Sequence, residues 1–252
     1  MTLQTVKAIK NLEIASICNL ACPYCPCRLQ GEHREVGLMT EEVFERSLYW
    51  LARFVRAGTQ QELNFFGVGE ALLHPHLIDW VHRTRDVMPR YLMLRMNTNG
   101  LLFTEELGRE LFAAGIDNID VTDHEAESTM RTIAALRRIT GHYYPVQQDP
   151  HSPWGYSRDG VLHPNNWGGL IDWTKEVQHR RYVCPWLSKG QVMVMSTGDV
   201  TRCCQDAAAR GIICTVWDDV EKYEYGTYVQ CRTCHEIVPD WISQGGEDKS
   251  RD

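Results

Sequence analysis

The chain has 252 residues, 43% of them apolar, and a formal charge of −7, enough length and apolar content for one large domain or a domain with a small appendage. Its acidic balance argues against nucleic acid as a partner and suits a cationic or neutral substrate. No basic, apolar leader opens the chain and no run reaches about 18 uncharged apolar residues, so neither export nor a membrane span is expected; ten cysteines then fit a reducing, cytoplasmic compartment with thiols free for metal.

In chain order, NLEIASI (11–17) is short and β-branched and reads as a strand that delivers Cys18 at its C-terminal end. A helical pattern runs from Thr40 to about Ala57. ELNFFGVGE (62–70) reads as a strand and glycine-rich turn, and HLIDWVHRTRDVM (76–88) as a helix. YLMLRMNTNG (91–100) gives a strand and turn, TEELGRELFAAG a helix and IDNIDVT (116–122) a strand. A helix near 125–139 and a strand at Tyr143–Gln148 continue the series. Strand then helix, repeated, predicts a mainly parallel sheet with outer helices, whose binding groups gather at the C-terminal strand ends. Cys18–Cys25, Gly67–Glu70 and Asn97–Gly100 all fall at such ends.

CNLACPYC (18–25) raises three possibilities: zinc, disulfides or an iron-sulfur cluster. Zinc generally uses two close pairs of ligands, whereas Cys18, Cys22 and Cys25 stand in a three-then-two spacing. Three such thiolates can hold three corners of a cubane cluster and leave the fourth iron open, and Cys27 is too close to Cys25 to reach the remaining corner easily.

Residues 149–169, DPHSPWGYSRDGVLHPNNWGG, form a long shaped connection. As a substrate loop it offers Trp154, Tyr156 and Trp167 for an apolar face and Asp149, His151 and Arg158 for polar groups; as scaffold it covers a core edge. Farther on, QVMVMS and DVTRC read as a hairpin turning at Ser196–Asp199, which brings distant cysteines together.

CNLACPYC, with Tyr24 immediately before its last cysteine, resembles the CxxxCxxC loop of the radical S-adenosylmethionine enzymes. The resemblance implies a [4Fe-4S] cluster on Cys18, Cys22 and Cys25 whose open iron binds the amino and carboxylate groups of S-adenosyl-L-methionine. One electron, from an external donor such as flavodoxin or ferredoxin, then yields methionine and a 5′-deoxyadenosyl radical. GVGEALLHP (67–75) resembles the family's GxGEPLLHP, with Ala71 in place of proline. It implies close backbone approach at Gly67 and Gly69 and a carboxylate, Glu70, for the methionine amino group. Asn97 and Asn99 of NTNG, and Thr122 with Asp123, stand where relatives carry polar groups near the cofactor.

CPWLSKGQVMVMSTGDVTRCC with YVQCRTC is similar to the auxiliary-cluster extensions called SPASM and, in their short form, Twitch. This implies a second [4Fe-4S] cluster on Cys184, Cys203, Cys231 and Cys234, with a zinc site on the same four thiolates as the rival and Cys204 as a substitute for Cys203. Cys27, Cys204 and Cys214 lie outside these sets, as structural thiols or as hydrogen donors if they face the cavity.

The implied fold is an incomplete (β/α)6 barrel in 1–148, a connection in 149–183, and a Twitch-like region and tail in 184–252. The implied activity resembles that of aminocyclitol dehydrogenases: hydrogen abstraction from a polar small molecule and oxidation of an amino sugar or aminocyclitol alcohol to a carbonyl. Epimerisation of a sugar or peptide, modification of a ribosomal peptide, and metal-dependent binding without catalysis are the alternatives.

Overall fold

Thr40 opens the first helix, α1 (Glu41–Arg56), by accepting a hydrogen bond from Val43 N, and two acids in the first turn and two arginines in the last suit the helix dipole. One face of α1 is buried through Val43, Phe44, Leu48, Leu51 and Phe54, the spacing of an amphipathic helix packed on a sheet. Phe44 stacks on Trp80 of α2 (Leu77–Val87) with ring centroids 4.0 Å apart. Thr104 caps α3 (Glu105–Ala114) in the same way as Thr40, and Gly115 ends it at φ 118°, a left-handed conformation that favours glycine. The fourth helix, α4, spans Ala126–Thr140. The computed structural model describes residues 3–22, 25–27, 31, 33–122, 126–140, 182–228, 231 and 238–239.

These helices alternate with strands. Gln4–Thr5 (β1) and Ala8–Leu12 (β2) precede α1; Glu62–Phe65 (β3), Met93–Thr98 (β4) and Asn118–Val121 (β5) follow α1, α2 and α3. Tyr182–Val183 (β6), Gln191–Val194 (β7), Asp199–Thr201 (β8), Ile212–Thr215 (β9), Glu224–Tyr225 (β10) and Val238–Pro239 (β11) complete the strands, with a short helix, α5, at Pro185–Ser188. One sheet of seven strands runs in the order β5-β4-β3-β2-β7-β8-β9. It is parallel from β5 to β7 and antiparallel through β8 and β9. The result is a mixed α/β fold with a partial, open barrel sheet and a C-terminal extension, in agreement with the expected class. The strand expected at Tyr143–Gln148 lies outside the described residues.

The first predicted strand is displaced. Pairing runs over Ala8–Leu12 rather than 11–17, because the chain from Ile14 onward turns to another partner: Met39 N donates to Ile14 O and Ser16 N to Gly37 O. Cys18 is therefore delivered by an extended segment beyond the strand. The extension also does more than close one side. Its β7 lies parallel to β2, matching Ala8 to Gln191 and Leu12 to Val194, so the hairpin prolongs the barrel sheet itself.

Candidate active site

The C-terminal ends of β3, β4 and β5 open on a cavity lined by Cys18, Cys22, Cys25, Gly67, Gly69, Glu70, Asn97, Asn99 and Thr122. Three segments widely separated in sequence thus meet at one mouth.

Their packing explains the glycines. A Cβ on Gly69 would stand 2.4 Å from the carbonyl oxygens of Ala15 and Ile17, and one on Gly67 would stand 2.2 Å from Glu13 Cγ. Neither glycine has the positive φ of a tight turn. They are required because the turn after β3 lies directly against the segment that leads into the cysteine loop. Gly69→Ala forces two backbone segments apart and is expected to cost about 1–3 kcal/mol, measurable as a lower denaturation midpoint.

Glu70 is buried, and its carboxylate is held by three donors: Leu72 N and Thr98 Oγ1 at 3.0 Å and Asn99 N at 2.8 Å. Burial, the dominant cause, raises its pKa, against those three hydrogen bonds. The acid therefore ties the turn after β3 to the end of β4 as well as lining the cavity. Asn99 in turn donates to Asn19 Oδ1 at 2.8 Å and to Cys18 Sγ at 3.6 Å, so the NTNG turn also steadies the cysteine loop.

The loop thiols differ in environment. Cys18 is lowered to about 7, first by the hydrogen bond from Cys27, with help from Leu20 N and Asn99 and opposition from burial. Cys25 is pushed up to about 11 by burial, beside Val68, Ala207 and Cys27. None of the nine described cysteines forms a disulfide. No three metal-binding side chains converge among the described residues, yet three uncrosslinked thiols around one cavity form a donor set suited to an iron-sulfur cluster.

Glu13 and Arg34, which the sequence reading did not single out, stand behind the site. Their side chains are 0% and 4% exposed and form a two-pronged ion pair, Nη1 to Oε2 at 2.7 Å and Nη2 to Oε1 at 2.8 Å. Glu13 also accepts from Val68 N at 3.0 Å and from Ser196 N at 3.4 Å, while Arg34 Nε donates to Ala207 O at 2.9 Å. One buried pair thus joins the cysteine loop, the glycine turn and the extension. The available signal was an acid inside the apolar run NLEIASI.

In the extension, Cys184, Cys203 and Cys204 pack around Trp186, Met193 and Met195. Cys231 is raised mainly by burial and also by the charge of Cys184, which places these thiols near one another. Cys214 does not join them or the cavity. It is 7% exposed within the main hydrophobic core and its thiol is pushed up to about 12 by burial, which corrects the expectation that it could serve as a cavity hydrogen donor. Cys27 lies beside Cys18 and the Ser16 carbonyl rather than on the cavity wall. Tyr24, Asp123, Cys234 and the loop candidates Asp149, His151, Trp154, Tyr156, Arg158 and Trp167 lie outside the described residues.

The family model for the radical SAM superfamily matches residues 12–145, which include every cavity-lining segment. Over 106 residues the chain is 36% identical to the tungsten-containing aldehyde ferredoxin oxidoreductase cofactor-modifying protein of Pyrococcus furiosus, covering 42% of this chain and 28% of that protein. It is 32% identical over 126 residues to the GTP 3′,8-cyclase of Synechococcus sp., covering 47% of this chain and 34% of that enzyme. The chain thus spans a minor part of the length of these curated relatives. Among solved structures, BtrN in complex with AdoMet and 2-DOIA is similar in fold at a TM-score of 0.63 and 22% identity, over 86% of this chain and 80% of that one. No helix among the described residues is long and apolar enough to cross a membrane. With its family match spanning more than half of the sequence and its motif cysteines on the matched cavity, the chain belongs to the radical SAM superfamily and is an enzyme of that class.

Proposed function

We propose that this enzyme abstracts hydrogen from a polar small molecule and oxidises an amino sugar or aminocyclitol alcohol to a carbonyl. The observation that carries the reading is the placement of two cysteine groups: Cys18, Cys22 and Cys25 at the cavity, and Cys184 and Cys203 packed on Met193, whose strand pairs with β2 in the same sheet. The fold likeness to BtrN, a protein solved with AdoMet and 2-DOIA, supports it.

In this reading Cys18, Cys22 and Cys25 hold a [4Fe-4S] cluster, and Glu70, Asn97, Asn99 and Thr122 hold S-adenosyl-L-methionine. Cys184, Cys203, Cys231 and Cys234 hold a second cluster. When bound, these groups supply a 5′-deoxyadenosyl radical and a sink for one electron. The oxidation balances as one hydrogen atom lost from carbon, one proton lost from oxygen and one electron passed to the sink. The chain's own contribution is positional. Glu70 fixes the ends of β3 and β4 to each other, Asn99 holds the loop at Cys18, and the Glu13–Arg34 pair fixes the extension against both.

Anaerobic incubation of reduced, reconstituted enzyme with amino sugars, aminocyclitols and peptides, followed by product mass, tests the reading. Loss of a hydrogen pair from an amino sugar or aminocyclitol is the expected result. Unchanged mass with altered chromatographic mobility would reject oxidation in favour of epimerisation, and a modified peptide alone would reject the small-molecule substrate.

A further inference from the structure

A row of polar side chains crosses the parallel sheet on the face opposite its helices. Asn11 on β2 is in register with Asn64 on β3, Asn64 with Arg95 on β4, and Arg95 with Asn118 on β5. The pleat puts them on this face because the alternate residues Leu63, Phe65, Leu94, Met96 and Ile119 are buried in the main core with the helices. Three adjacent members carry buried atoms without a hydrogen-bond partner: Oδ1 of Asn11, Oδ1 of Asn64 and Nε of Arg95. Asn11 as a whole is only 2% exposed. Such orphans are costly and uncommon, and here they fall at consecutive positions of one row.

The row is also placed between the two cysteine groups. Asn64 Nδ2 donates to Asn97 Oδ1 at 2.8 Å, and Asn97 lines the cavity of the cysteine loop. At the other end Asn11 is in register with Met193, which packs with Cys184 and Cys203. The row's charges are internally matched: Arg95 Nη2 pairs with Asp120 Oδ2 at 2.7 Å, and Asn118 Nδ2 donates to Asp120 Oδ1 at 2.8 Å.

We propose that Asn11, Asn64 and Arg95 form the substrate-recognition row and that it takes a compact polyhydroxylated ring. Two unpaired acceptors beside one unpaired donor require a ligand that both gives and accepts hydrogen bonds, which hydroxyl groups do; exchanging the O and N of an asparagine amide leaves this requirement in place. Strands lie about 4.8 Å apart, a span that substituents on one small ring can bridge, whereas an extended peptide presents same-side N–H groups roughly 6.8 Å apart, twice the residue rise. With Asp120 already paired to Arg95, the row selects hydroxyls rather than an ammonium group. The assignment rests on the reading that the adjoining cavity generates the radical.

Saturation-transfer NMR on reconstituted holoenzyme with myo-inositol, glucosamine and trialanine tests it, together with thermal melts of Asn11→Leu and Asn64→Leu. Both rings are expected to bind and trialanine is not. Each variant should weaken ring binding at least tenfold; Asn11→Leu should also raise the Tm of the ligand-free protein by about 2–4 °C, because a buried unsatisfied acceptor has been removed, whereas Asn64→Leu additionally loses the bond to Asn97 Oδ1 and is read by affinity alone. A failure of both rings to bind overturns the proposal, as does unchanged ring affinity in the variants. Asn64→Leu, at the less buried position, decides the matter if Asn11→Leu does not fold. Failure of the radical reading is seen separately, as absence of 5′-deoxyadenosine from reduced enzyme whatever the ligands do.

Discussion

Replacing Cys18, Cys22 and Cys25 together with alanine is expected to lower bound iron from about eight to about four atoms per reconstituted chain and to abolish 5′-deoxyadenosine formation. These thiols line the cavity, and the turns after β3 and β4 are joined through Glu70 by contacts that do not involve them, so the variant should keep its barrel fold. The remaining iron would mark the second site at Cys184, Cys203, Cys231 and Cys234. Iron analysis with anaerobic product assay checks both parts. Retained cleavage would remove the loop from the mechanism, and a wild-type limit of about four irons, or stoichiometric zinc at the distal thiols, would remove the second cluster.

Arg34→Ala should be among the most destabilising single changes in the described chain. It leaves Glu13, which is fully buried, without its cation and with backbone donors alone. Breaking a buried ion pair from one side costs about 3–5 kcal/mol, which corresponds to a Tm lower by roughly 10 °C in a domain of this size. Arg34→Lys should not restore it, because a single ammonium cannot reproduce the two-pronged contact and the third bond to Ala207 O. Adding Glu13→Gln to Arg34→Ala should recover part of the loss by removing the stranded charge. Thermal melts of the four proteins decide this, and a Tm for Arg34→Ala within a degree or two of wild type would contradict the role given to the pair.

The alternation of strands and helices was legible because each helix writes its own apolar spacing and its own ends: Thr40, Thr104 and Gly115 mark boundaries that the structure keeps within a residue or so. The cavity was legible because its residues sit in dense local motifs. What escaped depends on partners distant in the chain. Nothing local in AIKNL says that β2 will have β7 as a parallel neighbour, nor that the following residues will leave the sheet to pair with Gly37 and Met39. Gly67 and Gly69 were read as points of close approach near the cofactor, but that they also stand against Glu13 and the carbonyls of Ala15 and Ile17 appears only in three dimensions. Asn11 and Asn64 sit in NLEIASI and ELNFFGVGE with no motif to single them out. Their meaning comes from register across the sheet, which sequence patterning does not specify. Cys214 shows the converse: a thiol near other cysteines in sequence whose strand turns it into the core.

The most direct measurement uses an aminocyclitol deuterated at its carbinol carbons, incubated with reduced, reconstituted enzyme and S-adenosyl-L-methionine. Deuterium should appear in 5′-deoxyadenosine in step with a carbonyl product that has lost a hydrogen pair. Formation of that carbonyl with no deuterium in 5′-deoxyadenosine would contradict hydrogen abstraction by the radical that the cavity of Cys18, Cys22 and Cys25 is held to produce.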